Sequence, residues 1–255
     1  MSCAVVQKSL DPPTVDQLKR AFQGIPGLTQ ADAAIHCKDA FGIVVRSFPS
    51  ERARALQAAL SREGVETEVV EDASLPIMPQ VRHVSRLDCT PDALLIYDPL
   101  GRNFPLEWKN IGLIAAGQVA VSEFNQFGKE HVVPVYTGRG VKLETVIENE
   151  FREQRQLRLL LEIVIRGGVL RYCVTADHTS HLLFQYLGAR RTKNLPEDFT
   201  MLVRDMIQAA PHATLNRGAV SLRDNPADPF FYPAKSSFYN EIIWLLWQST
   251  SSKPS

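Results

Sequence analysis

The sequence predicts an α+β protein. A small strand–helix–helix–strand–helix–strand (βααβαβ) unit is expected over residues 1–72 and a linker over 73–80. A mainly antiparallel, sheet-rich region closed by C-terminal helices is expected over 81–255. Three observations lead to this reading. Two helix-capping signatures stand close together near the N-terminus, strand-length apolar runs recur between Pro- and Gly-bearing turns, and helical periodicity returns after Asn194.

In the first unit, Ala4 to Lys8 reads as a strand stopped by Asp11-Pro12-Pro13. Thr14 followed by Gln17 is a capping box, in which each side chain satisfies a backbone amide of the other residue's turn. Val15, Leu18 and Phe22 then share one helical face, and Gly24 to Gly27 ends the helix. Thr29 with Asp32 repeats the signature and predicts a second helix to about Lys38. Phe41 to Phe48 carries the unbroken run Ile43-Val44-Val45, the mark of a strand covered on both faces. Pro49-Ser50-Glu51 opens a third helix lined by Ala53, Leu56 and Leu60. Gly64 caps it, and Val65 to Glu71 is the last strand.

The segments Ile25-Pro26-Gly27-Leu28-Thr29-Gln30-Ala31-Asp32-Ala33 and Val44-Val45-Arg46-Ser47 carry a resemblance, together with Ala53 through Leu60, Gly64 and Glu66 to Val70. This stretch resembles the C-terminal domain of the bacterial ribosomal stalk protein, whose ClpS-like fold is shared with a protease adaptor. The resemblance implies a protein-binding module. That family carries lysines where this chain has Ala31 and Ala34, so the electrostatic recruitment of translation factors does not carry over.

Beyond the proline-bearing stretch Asp72 to Pro79, strand candidates follow at Val81–Leu87, Ala93–Tyr97, Asn103–Trp108 and Ile111–Ala116. A tight turn is expected at Asp98-Pro99-Leu100-Gly101. Val119–Phe124 and His131–Tyr136 continue the meander as separate strands. Leu143 to Gln156, with Glu144, Glu148, Glu150, Arg152, Glu153 and Arg155, reads as a charged helical or mobile insertion, and Gly138-Arg139-Gly140 as a turn. Leu159–Ile165 and Leu170–Thr175 form a hairpin around Gly167-Gly168, and His181–Leu187 a further strand or extended segment. A helix runs from Asn194 to about Ala209, and another carries Phe238, Ile242, Leu245 and Leu246. That last helix is expected to pack on the sheet-rich region, or else to form a homo-oligomer interface. The passage from Leu94-Leu95-Ile96-Tyr97-Asp98-Pro99-Leu100-Gly101 into Leu106-Glu107-Trp108-Lys109-Asn110-Ile111 resembles bacterial pleckstrin-homology-like domains, a fold that hosts many binding functions.

Composition narrows the function. Lys+Arg and Asp+Glu are equal at 28 each, so no nucleic-acid partner is indicated by net charge. No apolar run approaches the length of a membrane span, and Met1 to Lys8 lacks a secretory pattern. Cys3, Cys37, Cys89 and Cys173 stand far apart without a CxxC pair, which fits a reducing, cytoplasmic setting.

Catalytic motifs such as Gly-x-Ser-x-Gly, a Walker loop, HExxH or GxGxxG do not occur, so a non-catalytic protein without a cofactor is expected. Two clusters hold candidate chemistry. Arg190, Arg191 and Lys193 form the compact basic run, fit either to bind a phosphorylated ligand or lipid headgroup or to lead, solvated, into the following helix. Asp177, His178 and His181 offer a carboxylate and two imidazoles, as a metal-dependent hydrolase would use, or else decorate a polar turn. The loop Pro229-Phe230-Phe231-Tyr232-Pro233 reads as a recognition surface or as a strap over the core. The leading expectation is a binding or regulatory protein with a protein partner.

Overall fold

In a computed structural model, which describes residues 2–137, 140–177 and 181–251, helices and sheets combine as an α+β structure. The chain begins β1 (Ser2–Gln7), α1 (Val15–Phe22), α2 (Gln30–Asp39), β2 (Ile43–Pro49), α3 (Ser50–Arg62) and β3 (Thr67–Glu71). Both capping boxes form. Thr14 Oγ1 accepts from Gln17 N at 3.2 Å while Gln17 Oε1 accepts from Thr14 N at 2.9 Å. Thr29 and Asp32 repeat the exchange at 3.3 and 2.7 Å.

The three strands make an antiparallel sheet in the order β2-β1-β3. Because alternate side chains of a strand point to opposite faces, β1 is shared between two cores. Cys3 and Val5 pack with Leu18 and Phe22 of α1, Ala33 of α2, and Leu56 and Leu60 of α3. Ala4 and Val6 join Ile43 and Leu75 on the opposite face. Register shifts in the β1–β2 pairing place Val44 and Val45 in the same core, while Ile43 lies in the other. That bulge turns a two-sided strand into the unbroken apolar run seen in the sequence.

A 3-10 turn at Asp72–Ser74 leads to Leu75, which is buried, so the predicted linker is anchored at that residue while Ile77 stays exposed. Then come β4 (Gln80–His83), β5 (Leu87–Cys89), β6 (Ala93–Tyr97), β7 (Asn103–Glu107), β8 (Ile111–Thr137), β9 (Gly140–Ile165) and β10 (Leu170–Ala176). They are followed by α4 (Leu195–Ala209), β11 (Thr214–Leu215), α5 (Arg217–Asp224), β12 (Phe231–Tyr232) and α6 (Lys235–Ser251). β5, β6 and β7 form an antiparallel meander, with the predicted turn closed by Gly101 N donating to Asp98 O at 2.9 Å. The larger sheet runs β11-β8-β9-β10-β4, with β12 also on β8. Its centre is antiparallel, but β4, β11 and β12 join it in parallel.

One face of this sheet buries Ile111, Ile114, Leu161 and Ile163 against Phe199, Leu202, Val203 and Met206 of α4. The other buries Leu113, Val119, Leu160 and Val164 with Tyr232, Phe238 and Ile242.

Three expectations are corrected. Leu143 to Gln156 is not helical but part of β9, and the two candidate strands at 119–124 and 131–136 merge into β8. Charges three and four residues apart imitate a helical face, yet β9 pairs residue by residue with β8, a backbone ladder that charge spacing does not announce. Of the expected turn Gly138-Arg139-Gly140, the first two residues lie outside the described residues. His181 to Leu187 belongs to a 3-10 segment, His181–Arg190, rather than a strand, and Leu183, Phe184 and Leu187 bury from it. The C-terminal helix α6 does pack on the larger sheet as expected, and on a second surface besides. Ile243 and Trp247 cover the open face of the β2-β1-β3 sheet, while Phe238 and Ile242 serve the larger one.

Candidate functional site

The basic run is engaged within the fold. Arg190 Nη1 and Nη2 donate to both carboxylate oxygens of Asp205 at 3.1 and 2.7 Å, and the Tyr186 hydroxyl donates to the same carboxylate at 2.9 Å. Arg191 Nε donates to buried Asp198 at 3.3 Å, and Thr192 N and Oγ1 donate to the other Asp198 oxygen at 2.8 and 3.0 Å. Lys193 adopts a left-handed φ of 63°. Arg190 and Arg191 thus tie the loop to α4, each already holding a carboxylate.

Of the three candidate metal ligands, Asp177 is exposed, His178 lies outside the described residues, and for His181 only the backbone, at the start of the 3-10 segment, is described. Among the described residues no group of three or more His, Cys, Asp or Glu is placed to hold a metal ion.

The fold instead gathers two buried polar clusters that sequence reasoning missed. The first pins α5 and α6 to β8. Asn216 Oδ1 accepts from Ala116 N and Ala219 N, both at 2.9 Å, and its Nδ2 donates to Ala116 O at 3.1 Å and to the Tyr232 hydroxyl at 2.8 Å. That hydroxyl donates to Glu241 Oε2 at 2.6 Å and accepts from Gly218 N at 3.1 Å, while Arg217 N donates to Glu241 Oε1 at 2.7 Å. A side chain on Gly218 would overlap the Ala116 carbonyl, so only glycine lets α5 approach β8 this closely. Burial raises the Glu241 carboxyl above its usual range, against the lowering pull of Tyr232 and Arg217. Burial, then the neighbouring carboxylate, pushes the Tyr232 phenol far up. Phe230 to Tyr232 is therefore a strap over the core, with Tyr232 fully buried and β12 paired to β8.

The second cluster surrounds Glu162, the lone carboxylate of the apolar run Leu159 to Ile165. Arg171 Nη1 donates to its Oε1 at 2.5 Å and the Tyr239 hydroxyl to the same atom at 2.7 Å. Arg171 Nε also donates to Pro79 O at 3.0 Å. Next to it, burial pushes the Cys173 thiol up to about 12, and burial does the same to Cys89. Thiols so disfavoured as thiolates are poor nucleophiles. The available signal for both clusters was a carboxylate inside an apolar run, which demands an internal partner.

Two further features face outward. A cavity of about 540 Å³ opens where Pro76-Ile77, the Leu113 and Val164 ends of β8 and β9, and Leu245-Leu246 of α6 meet, with Arg166 and His212 also lining it. Beyond Val119, where β12 pairs, and Leu159, where β10 pairs, β8 and β9 pair only with each other. This two-stranded ribbon comprises 18 residue pairs, from Ala120 opposite Leu157 to Thr137 opposite Gly140. At about 3.3 Å per residue it measures roughly 60 Å. No third strand joins it among the described residues.

Comparison with protein-family models, curated proteins and solved structures finds no match to the chain. No helix among the described residues is long and apolar enough to cross a membrane.

Proposed function

We propose that this chain is a non-catalytic protein-binding module in which the β8–β9 ribbon is the recognition element. The observation that carries this reading is the length over which, among the described residues, the ribbon pairs with no third strand. A two-stranded ribbon is marginal alone, and open strand edges offer unpaired N–H and C=O groups to a partner strand. The ribbon sequence is apolar toward its tip, with Val132, Val133, Val135 and Tyr136 on one strand and Val141, Leu143, Val146 and Ile147 on the other. The partner is a protein that adds an extended segment to a ribbon edge, the mode in which main-chain hydrogen bonds give affinity and alternate side chains give specificity.

The non-catalytic part draws support from the internal pairing of Glu162, Asp198, Asp205 and Glu241 and from the raised thiols. The ClpS-like resemblance of the first 72 residues adds a second protein-binding element to the same reading. The pleckstrin-homology-like resemblance of the sheet-rich region agrees with a binding role.

The test is crosslinking followed by mass spectrometry in native lysate, using the full chain. Lys129 and Lys142 are the only lysines between Ala120 and Leu157 and report contacts on opposite strands. A partner crosslinked at these lysines should be lost when Val121 is joined to Gln156 through an Asn-Gly turn. Retention of every partner by the shortened chain would refute the proposal, and crosslinks only between copies would replace the outside partner with self-association.

A further inference from the structure

We infer that the 540 Å³ cavity at the junction of Pro76-Ile77, the β8 and β9 ends and α6 binds an amphiphile with one alkyl chain and an anionic head group. The size falls within the roughly 300–1,000 Å³ range of small-molecule sites. Its deep residues, Leu113 and Val164, are buried and aliphatic, and Leu245 and Leu246 of α6 line it as well. No Asp or Glu lines the cavity, whereas Arg166 and His212 both do, and both are exposed. In contrast to Arg190 and Arg191, the Arg166 guanidinium has no ion pair or side-chain hydrogen bond among the described residues. An unneutralised guanidinium beside an apolar hollow is suited to a carboxylate or phosphate. Ile77, 91 % exposed, is an aliphatic side chain left in water beside the same cavity, and an alkyl chain lying against it would remove that surface from solvent.

An alkyl chain fits better than a peptide. A peptide brings backbone amides and carbonyls that need partners, and the lining at Ile77, Leu113, Val164, Ile165, Leu245 and Leu246 offers aliphatic side chains, its hydroxyls being those of Thr214, Ser249 and Thr250. Pro76 and Pro79 supply no N–H for strand pairing along that side. This site is separate from the ribbon and does not depend on it.

Isothermal titration of the full chain at concentrations below micelle formation tests the assignment, using decanoate, decyl phosphate, decanol and inorganic phosphate. Saturable one-to-one binding of decanoate or decyl phosphate is expected, the tighter of the two naming the head group, with decanol and inorganic phosphate each at least about tenfold weaker. Arg166→Glu and Ile77→Asp, both at exposed positions where the fold is not at risk, should each weaken binding about tenfold or more. Lys193→Glu should leave it unchanged. Binding of neither anionic amphiphile, or binding indifferent to Arg166→Glu, overturns the assignment. Decanol binding as tightly as decanoate refutes the anionic-head requirement, and inorganic phosphate binding as tightly refutes the alkyl requirement. Flotation with phosphatidylglycerol vesicles separates a membrane source from free amphiphile, and flotation that survives Arg166→Glu would place recognition elsewhere and overturn the site.

Discussion

Trp244 occupies the space that a side chain on Gly42 would need. A Cβ built at Gly42 falls 2.5 Å from Trp244 Cβ and Cγ, and the glycine holds a φ of +82° that other residues rarely adopt. Around this contact Gln7 N donates to Gly42 O at 2.8 Å, Gly42 N donates to Gln7 Oε1 at 2.9 Å, and Trp244 Nε1 donates to Gln7 O at 2.7 Å. Nearby, Asn240 Nδ2 donates to Asp39 O at 2.9 Å and Ser236 donates to the Asp39 carboxylate. The end of β1, the turn before β2 and α6 are therefore fastened at one point.

Gly42→Ala should destabilise the protein by about 2–4 kcal/mol, combining a disfavoured φ with overpacking. Trp244→Ala should cost a similar amount through lost burial. Because the two residues contest one volume, the double variant should be less destabilised than the sum. Urea denaturation of the four proteins checks this, and strict additivity would show that the two positions do not share the space.

Tyr232→Phe keeps the ring but removes the hydroxyl that joins Asn216, Gly218 and Glu241. Leaving those buried groups short of a partner should cost about 1–3 kcal/mol. Thermal and chemical denaturation should both show the loss.

Glu241 makes stability depend on pH in a direction opposite to that of most carboxylates. Its folded pKa is raised above the ordinary 4.5, chiefly by burial, so between the two values the folded state holds a proton that the unfolded state has released. Its contribution is fully present below the unfolded pKa and is lost as pH rises through the folded value. Glu241→Gln should remove this fall. Denaturation midpoints of wild type and variant compared from pH 4.5 upward should show wild type losing stability relative to the variant as pH rises.

The thiols give a simple readout. Cys3 and Cys173 are buried, Cys89 and Cys173 are pushed up to about 12, and half-buried Cys37 is also raised by burial while donating to Pro13 O. At pH 8, Ellman's reagent should label no more than one cysteine rapidly in the native protein and all four after denaturation. Fast labelling of Cys173 would contradict its place beside Glu162.

Shortening the ribbon at Val121 and Gln156 should leave the melting temperature within a few degrees of wild type. Among the residues whose burial is described, those that bury β8 and β9, from Ile111 to Val119 and from Leu159 to Val164, lie on the retained side of that cut. Differential scanning calorimetry decides the matter, and loss of the cooperative transition would mean that the ribbon supports the body.

The first 72 residues were readable because their signals are local. Thr14 with Gln17, Thr29 with Asp32, and the short strand around Ala4 to Gln7 all act within a turn or a strand, and each appears where expected. The antiparallel hairpins around Asp98 to Gly101 and Gly167-Gly168 were legible for the same reason. What the sequence hid depends on distant partners. Glu144 and Glu148 resemble a helix face until β8 is laid beside them, and Glu162 looks misplaced until Arg171 and Tyr239 reach it. Arg190 and Arg191 looked available as a cluster because Asp198 and Asp205, which hold them, sit on the next helix. Arg166 and His212 are 46 positions apart, so no local pattern could join them in one cavity.

The fastening of Gln7 by Trp244 spans 237 positions, and Ala4 and Val6 share a core with Ile243 and Trp247. During synthesis one face of the first sheet must therefore stay incompletely covered until the chain through Trp247 has left the ribosome. Such long-range contacts slow folding and leave apolar strand surface exposed meanwhile. The order in which the chain is made thus runs against the order in which this sheet can be finished, and nascent chains paused before Trp244 should be the ones that chaperones hold longest.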